Sequence, residues 1–157
     1  MDIIKQINKI SQSGLSTEDK QKNINVSEVF HLWNHLLQRY NVLHLTNILE
    51  QQARDEDLKL VLDAGRKTLG NQVTKLEKEM MNYGIPLPLR PPKQTKTTSS
   101  VEAITDRFIF RRILRGIQSF LPTHMMAFIH STSSKIRELF MSFMIEEMKL
   151  YDKFIEY

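Results

Sequence analysis

The chain has no cysteine anywhere in its 157 residues. Disulfides, thiolate metal sites and cysteine-based catalysis are therefore excluded, and the absence fits a cytoplasmic protein. Breakers are scarce as well: five glycines and five prolines, four of the prolines gathered between Pro86 and Pro92. Elsewhere long stretches run unbroken, which favours long helices. No run approaches the ~18 consecutive apolar residues of a membrane span. Near the start, Ile3, Ile4, Ile7 and Ile10 alternate with Lys5 and Lys9, without the continuous apolar segment of a signal peptide. No glycine-rich phosphate loop occurs, and no serine comes with a recognisable base and orienter, so triad catalysis has no support. Nor is charge of one sign in great excess. Lys and Arg number 22 against 18 Asp and Glu, a net +4 that pulls only weakly toward an anionic partner.

What the sequence does have is helical periodicity. From Ser134 to Tyr157, Ile136, Leu139, Phe140, Phe143, Leu150, Tyr151 and Phe154 recur every three or four positions, one stripe along a helix of about six turns. Glu147 falls in the middle of that stripe, where a carboxylate must find a partner or change its pKa. Upstream, Ser27 is placed to cap a first long helix, with Val29, Trp33, Leu36, Leu37, Tyr40 and Leu43 on its buried face, ending near Ala53. Asp55 caps a second, striped by Leu58, Leu62, Leu69, Val73, Leu76, Met80 and Tyr83 and stopped by Gly84 and Pro86. Ser99 and Glu102 have capping-box spacing ahead of a third helix, whose apolar face is Phe110, Ile113, Leu114, Ile117, Phe120, Leu121 and Phe128. Pro122 should kink it or begin a separate short helix. The cluster Ser131 to Ser134 ends it and caps the fourth. Residues 1–26 read as an arm or short helix with a flexible polar joint, and residues 27–157 as one bundle.

Between the second and third helices, Gly84 to Thr98 is proline-rich and held extended. At about 3.1 Å per residue it reaches roughly 45 Å, against roughly 40 Å for the second helix. Four long helices joined short, long, short make an all-α, ferritin-like four-helix bundle with one crossover. An up-down-up-down bundle with a slack second loop competes; the linker's length and stiffness favour the crossover.

Several short motifs fit one family: Leu32-Trp33, Arg39-Tyr40, Gly84-Ile85-Pro86-Leu87-Pro88 with Arg90-Pro91-Pro92, Phe110-Arg111-Arg112, Ile136 to Phe140, and Tyr151 to Phe154. Over residues 26–157 the chain resembles bacillus-type proteins that carry a domain of unknown function and are often provisionally labelled spore coat proteins. The resemblance implies a ferritin-like bundle and spore association, and carries no established activity. Members extend beyond the fourth helix, which implies further residues after Tyr157.

Ferritin-like di-metal sites need a Glu from each of two helices and Glu-x-x-His from each of the others. The second and fourth helices lack that motif, so oxidase-type chemistry is disfavoured. Glu28, His31 and His35 share the outer face of the first helix at a spacing that could hold a surface divalent metal, although solvated histidines are the ordinary reading. Tyr40, His44, Asn47, Asp106 and Glu147, with Gln51 and His124, are directed inward and read as a hydrogen-bonded layer fixing helix register. Arg107, Arg111, Arg112 and Arg115 crowd the other face of the third helix as a candidate anion patch. Without an aromatic platform or helix-turn-helix, acidic side chains fit that patch better than nucleic acid. The sequence therefore reads as a non-enzymatic structural or interaction protein with no cofactor, cytoplasmic or spore-associated, contacting protein partners and no membrane. Apolar Phe108, Met126 and Ile129 beside the arginines, and Leu45 and Leu49 outside the first helix, point to a homodimer with the arm as a clasp. The alternative is a metal-binding ferritin-like protein using an inner layer of His44 and Glu147.

Overall fold

The computed structural model describes residues 14–92, 95–97 and 101–157. Among them the chain forms helices and no strand: α1 Thr17–Asn23, α2 Val26–Gln52, α3 Glu56–Asn82, α4 Asp106–Ile129 and α5 Ser134–Glu156. Ile3, Ile4, Ile7 and Ile10 of the expected arm, with Lys93 and Ser99, lie outside the described residues.

The helix starts follow side-chain chemistry, with two corrections. Asn25 rather than Ser27 caps α2. Its side-chain oxygen accepts from the Glu28 N–H (2.8 Å), and its own N–H donates to the Glu28 carboxylate (2.9 Å). Asn-x-x-Glu completes a reciprocal box, whereas Ser27 has Phe30 at the matching position. Likewise Thr105, not Ser99, caps α4, accepting from Phe108 N–H at 3.2 Å. Glu102 sits in a turn before the helix, and the Val101 N–H beside it is engaged by Gln52 Oε1 at 3.0 Å. Pro122 lies on the exposed side of α4, which runs unbroken through it. The stretch read as a flexible joint instead holds α1, tied to the end of α3 by Lys20 to Asn82 (2.7 Å) and Gln21 to the Tyr83 carbonyl (2.9 Å). Gly84 allows this approach. Its φ is +64°, and a Cβ there would lie 2.7 Å from Gln21 Nε2.

The buried face of α2 is turned about one residue from the one its apolar pattern suggests. Leu32, His35, Leu36, Arg39 and Tyr40 are buried, while Trp33 is 40% exposed and Val29 half-buried. On α4 the inward residues are Ile109, Ile117, Phe120, His124 and Ala127, with Phe110, Leu114, Leu121 and Phe128 half-buried beside them. Two apolar clusters result. Leu32, Leu36, Leu76, Met80, Phe140 and Phe143 fill one end, and Leu49, Leu58, Leu62, Ile109, Ile117 and Phe154 the other. The packing is densest within the pairs α2/α3 and α4/α5.

After Gly84 the chain runs along α2. Arg90 lies against Glu77 (3.0 Å) and over the Tyr40 ring (5.2 Å). Thr95 Oγ1 is 3.4 Å from His44 Nδ1, and the Thr97 N–H donates to Gln51 Oε1 (3.1 Å). Asp106, at the start of α4, accepts from the Arg54 N–H at 2.8 Å. The contacts thus climb α2 from Tyr40 to its C-terminal end.

Candidate functional site

Between the two apolar clusters sits a charged pair that the rest of the interior is arranged around. Glu147 is 2% exposed on α5, flanked along its stripe by Phe143 and Leu150. Its partner is Arg39 of α2, 1% exposed, whose Nη2 donates to Glu147 Oε2 at 2.6 Å. The same Nη2 lies 2.7 Å from His124 Nε2 of α4. Arginine has donors only, so His124 Nε2 accepts and the ring proton belongs on Nδ1. Beneath the guanidinium lies the Phe120 ring, 3.8 Å from Cζ to the centroid, which gives a desolvated cation a favourable face. One carboxylate, one imidazole and one aromatic face thus hold a single buried cation.

Three more histidines extend this centre toward solvent. His35 stacks on His124 with centroids 5.3 Å apart, and its Nδ1 donates to the His31 carbonyl at 2.7 Å. His31 Nε2 meets His130 Nδ1 at 3.0 Å, and His130 is exposed at the end of α4. Burial disfavours the charged forms of His31, His35 and His124. It presses His35 down to about 3, helped by His124 and Arg39 nearby. For His124 burial also lowers the pKa, with the adjacent Glu147 carboxylate opposing, and for His31 burial and His130 act together. His35 Nε2, His124 Nδ1 and Arg39 Nε have no hydrogen-bond partner among the described residues. A cavity of about 40 Å³ adjoins the pair, lined by Arg39, Glu147, Gly65, Gly116, Leu150 and, at its rim, Arg112. That is room for one or a few waters.

The expected polar layer is not brought together. Tyr40 is buried but donates to Glu77 Oε1 at 2.6 Å, and burial with that carboxylate pushes its hydroxyl up to about 12. His44 is half-buried and faces Thr95 of the linker, the Asn47 carbonyl accepts from Gln51, and Asp106 holds Arg54 at a helix end. Glu147 therefore pairs with neither Tyr40 nor His44, because α2 turns Arg39 inward in their place. The same rotation corrects the surface-metal expectation. Glu28 and His35 are wholly buried and His31 nearly so. Glu28 serves as a double cap. Beyond its bond from Asn25, it accepts from the Ser133 N–H at 2.7 Å, so one carboxylate sits at the start of both α2 and α5. Among the described residues no three His, Asp or Glu side chains are grouped to hold a metal ion. Arg107, Arg111, Arg112 and Arg115 are exposed on α4 and form no ion pair among the described residues. No helix of the described residues is long and apolar enough to cross a membrane.

Arg39 is the residue sequence reasoning missed. Its signal was its place on the same face as Leu32 and Leu36, at seven and three residues' spacing, overridden by the pull of Trp33 on the assignment of the buried face.

A family model described as a protein of unknown function, DUF3231, matches residues 12–157. A solved structure from Bacillus halodurans C-125, provisionally named a spore coat protein, superposes with a TM-score of 0.78 at 20% identity, covering 85% of this chain and 86% of that one. At that identity the likeness speaks for the fold. No curated protein matches the chain.

Proposed function

The chain belongs to the DUF3231 family, and from that premise we propose a non-catalytic structural or interaction protein that works in association with the bacterial spore. The observation that carries this reading is the closed centre. Arg39, Glu147 and His124 satisfy one another's charge, and the adjoining 40 Å³ cavity is far below the ~300 Å³ of ordinary small-molecule sites. Spore association rests on the fold likeness to the provisionally named coat protein. The architecture we propose is a ferritin-like four-helix bundle over residues 27–157, preceded by an arm over 1–26, with the Pro-rich linker crossing the bundle. The ascending contacts of Arg90, Thr95 and Thr97 along α2 support that path. The bundle self-associates through outer helix faces as a homodimer. A metal-centred role for His44 and Glu147 finds no support, since the two residues have separate partners.

Two measurements test the proposal. Elemental analysis of protein purified without an affinity tag is expected to find no stoichiometric metal. In spores of a bacillus host expressing the chain, it should fractionate with the insoluble coat; recovery wholly in the soluble mother-cell fraction would sink the spore assignment.

A further inference from the structure

α4 and α5 together present an outward face that nothing among the described residues covers. Phe110 stacks on Phe154 with centroids 6.3 Å apart, and His124 abuts Phe143 at 5.9 Å. The helices therefore run antiparallel side by side, and residues near the start of α4 share a level with those near the end of α5. Toward one end lie exposed Met125, Met126 and Ile129 of α4 beside exposed Met141 of α5, with exposed Ile145 and Met148 continuing from there toward the middle of α5. At the other lie Arg107, Arg111 and Arg115 beside Asp152 and Glu156, all exposed and none in an ion pair among the described residues.

We infer that this face is the homodimer interface, with the two-fold axis running along the helices so that α4 of one copy packs on α5 of the other. The inference rests on the homodimer reading above and names the surface. A two-fold rotation about an axis parallel to the helices keeps every residue at its own level while exchanging α4 for α5. Met125 and Met126 of α4 then meet Met141 and Ile145 of α5, and the arginines meet Asp152 and Glu156. Each helix carries what the other lacks: α4 supplies the positive charge of this face and α5 the negative. A two-fold axis perpendicular to the helices would instead set the arginines against the apolar half and bury them unpaired, which is costly. Methionine suits such a contact because its flexible thioether fits irregular gaps. Two helices about 35 Å long and about 20 Å across together present roughly 700 Å², close to the ~800 Å² per partner of a stable interface.

Charge exchange tests this with side chains that are exposed and not needed for folding. Wild-type protein should show twice the 18.5 kDa chain mass in light scattering across a micromolar series. Arg111→Glu should weaken the dimer about tenfold or more by setting like charges together, and Asp152→Arg should do the same. Mixing the two variants should restore a heterodimer. Met141→Asp, which sets a carboxylate against Met125 and Met126, should dissociate it without altering helical circular dichroism. A dimer indifferent to all three changes, or two variants that do not rescue each other, overturns the α4/α5 interface while leaving a homodimer standing. A constant mass of 18.5 kDa up to high micromolar protein overturns both.

Discussion

Removing either member of the Arg39–Glu147 pair strands the other's charge in a site almost closed to solvent. Glu147→Ala and Glu147→Gln should each destabilise the fold by about 3–5 kcal/mol in urea unfolding, with glutamine the milder because it still accepts from Arg39. The double change Arg39→Met with Glu147→Leu should recover most of that loss, since matched apolar side chains remove the desolvation cost on both sides. A double variant as weak as Glu147→Ala would mean that the pair stabilises through contacts beyond its charges. The histidines add a pH dependence of definite sign. His35 is depressed to about 3 in the folded chain against an ordinary 6.5. Between those values the unfolded chain binds a proton that the folded one refuses, so stability is full above pH 6.5 and declines as pH falls toward 3. For this one residue the slope is about 1.4 kcal/mol per pH unit. The titratable and charged groups beside His35 are His31 and Arg39 on α2 and His124 on α4, with α5 offering the Phe140 ring, and in the range pH 7 to 5 the imidazoles are the groups that titrate from an ordinary value of 6.5. Melts of His35→Gln over that range should show a visibly shallower slope than wild type. An unchanged slope would remove His35 as its source. At this scale the sequence was readable in part: Glu147 stands out as a carboxylate inside an apolar stripe, and His124 lies among phenylalanines. Arg39 does not stand out, because arginine on a helix reads as surface until its carboxylate is placed opposite.

Helix lengths and most boundaries are legible because unbroken 3.6-residue periodicity and the Gly84–Pro86 stop leave little choice. The rotation of α2 was not, since four polar side chains, Glu28, His31, His35 and Arg39, face inward toward partners on or at the ends of α4 and α5, helices that the sequence does not place. Glu28 shows the consequence. It reads locally as a first-turn acid, yet it joins α2 to α5 through the Ser133 N–H. Glu28→Ala should cost about 2 kcal/mol, more than the loss of one cap, because two helix starts lose an acceptor at once. A loss below about 0.5 kcal/mol would mean water replaces it at both. The linker's path belongs to this scale too. If it crosses the bundle as proposed, spin labels at residues 86 and 97 should lie about 34 Å apart, the polyproline rise over that stretch. A separation of half that would favour the slack loop.

Across the whole molecule, the packing is uneven in an informative way. Each of α2/α3 and α4/α5 packs tightly as a pair, and the two pairs meet around the Arg39–Glu147 pair and the cavity beside it. Two glycines line that cavity, Gly65 on α3 and Gly116 on α4. A Cβ on Gly116 would meet nothing within 4 Å, and one on Gly65 would sit 3.6 Å from Leu150 and 3.8 Å from Phe154, ordinary contact distances. Both positions are helical with no positive φ, so neither needs glycine's conformational freedom. Alanine at either should therefore stabilise by about 1 kcal/mol through helix propensity, with added packing where the cavity shrinks. For a chain of this size that is a rise of about 2–4 °C in melting temperature. The two gains should add, because the glycines lie on different helices and their new methyls meet different neighbours. Should Gly116→Ala lower the melting temperature instead, the space beside Arg39 holds ordered water that the methyl displaces, and the orphaned Arg39 Nε would be that water's donor.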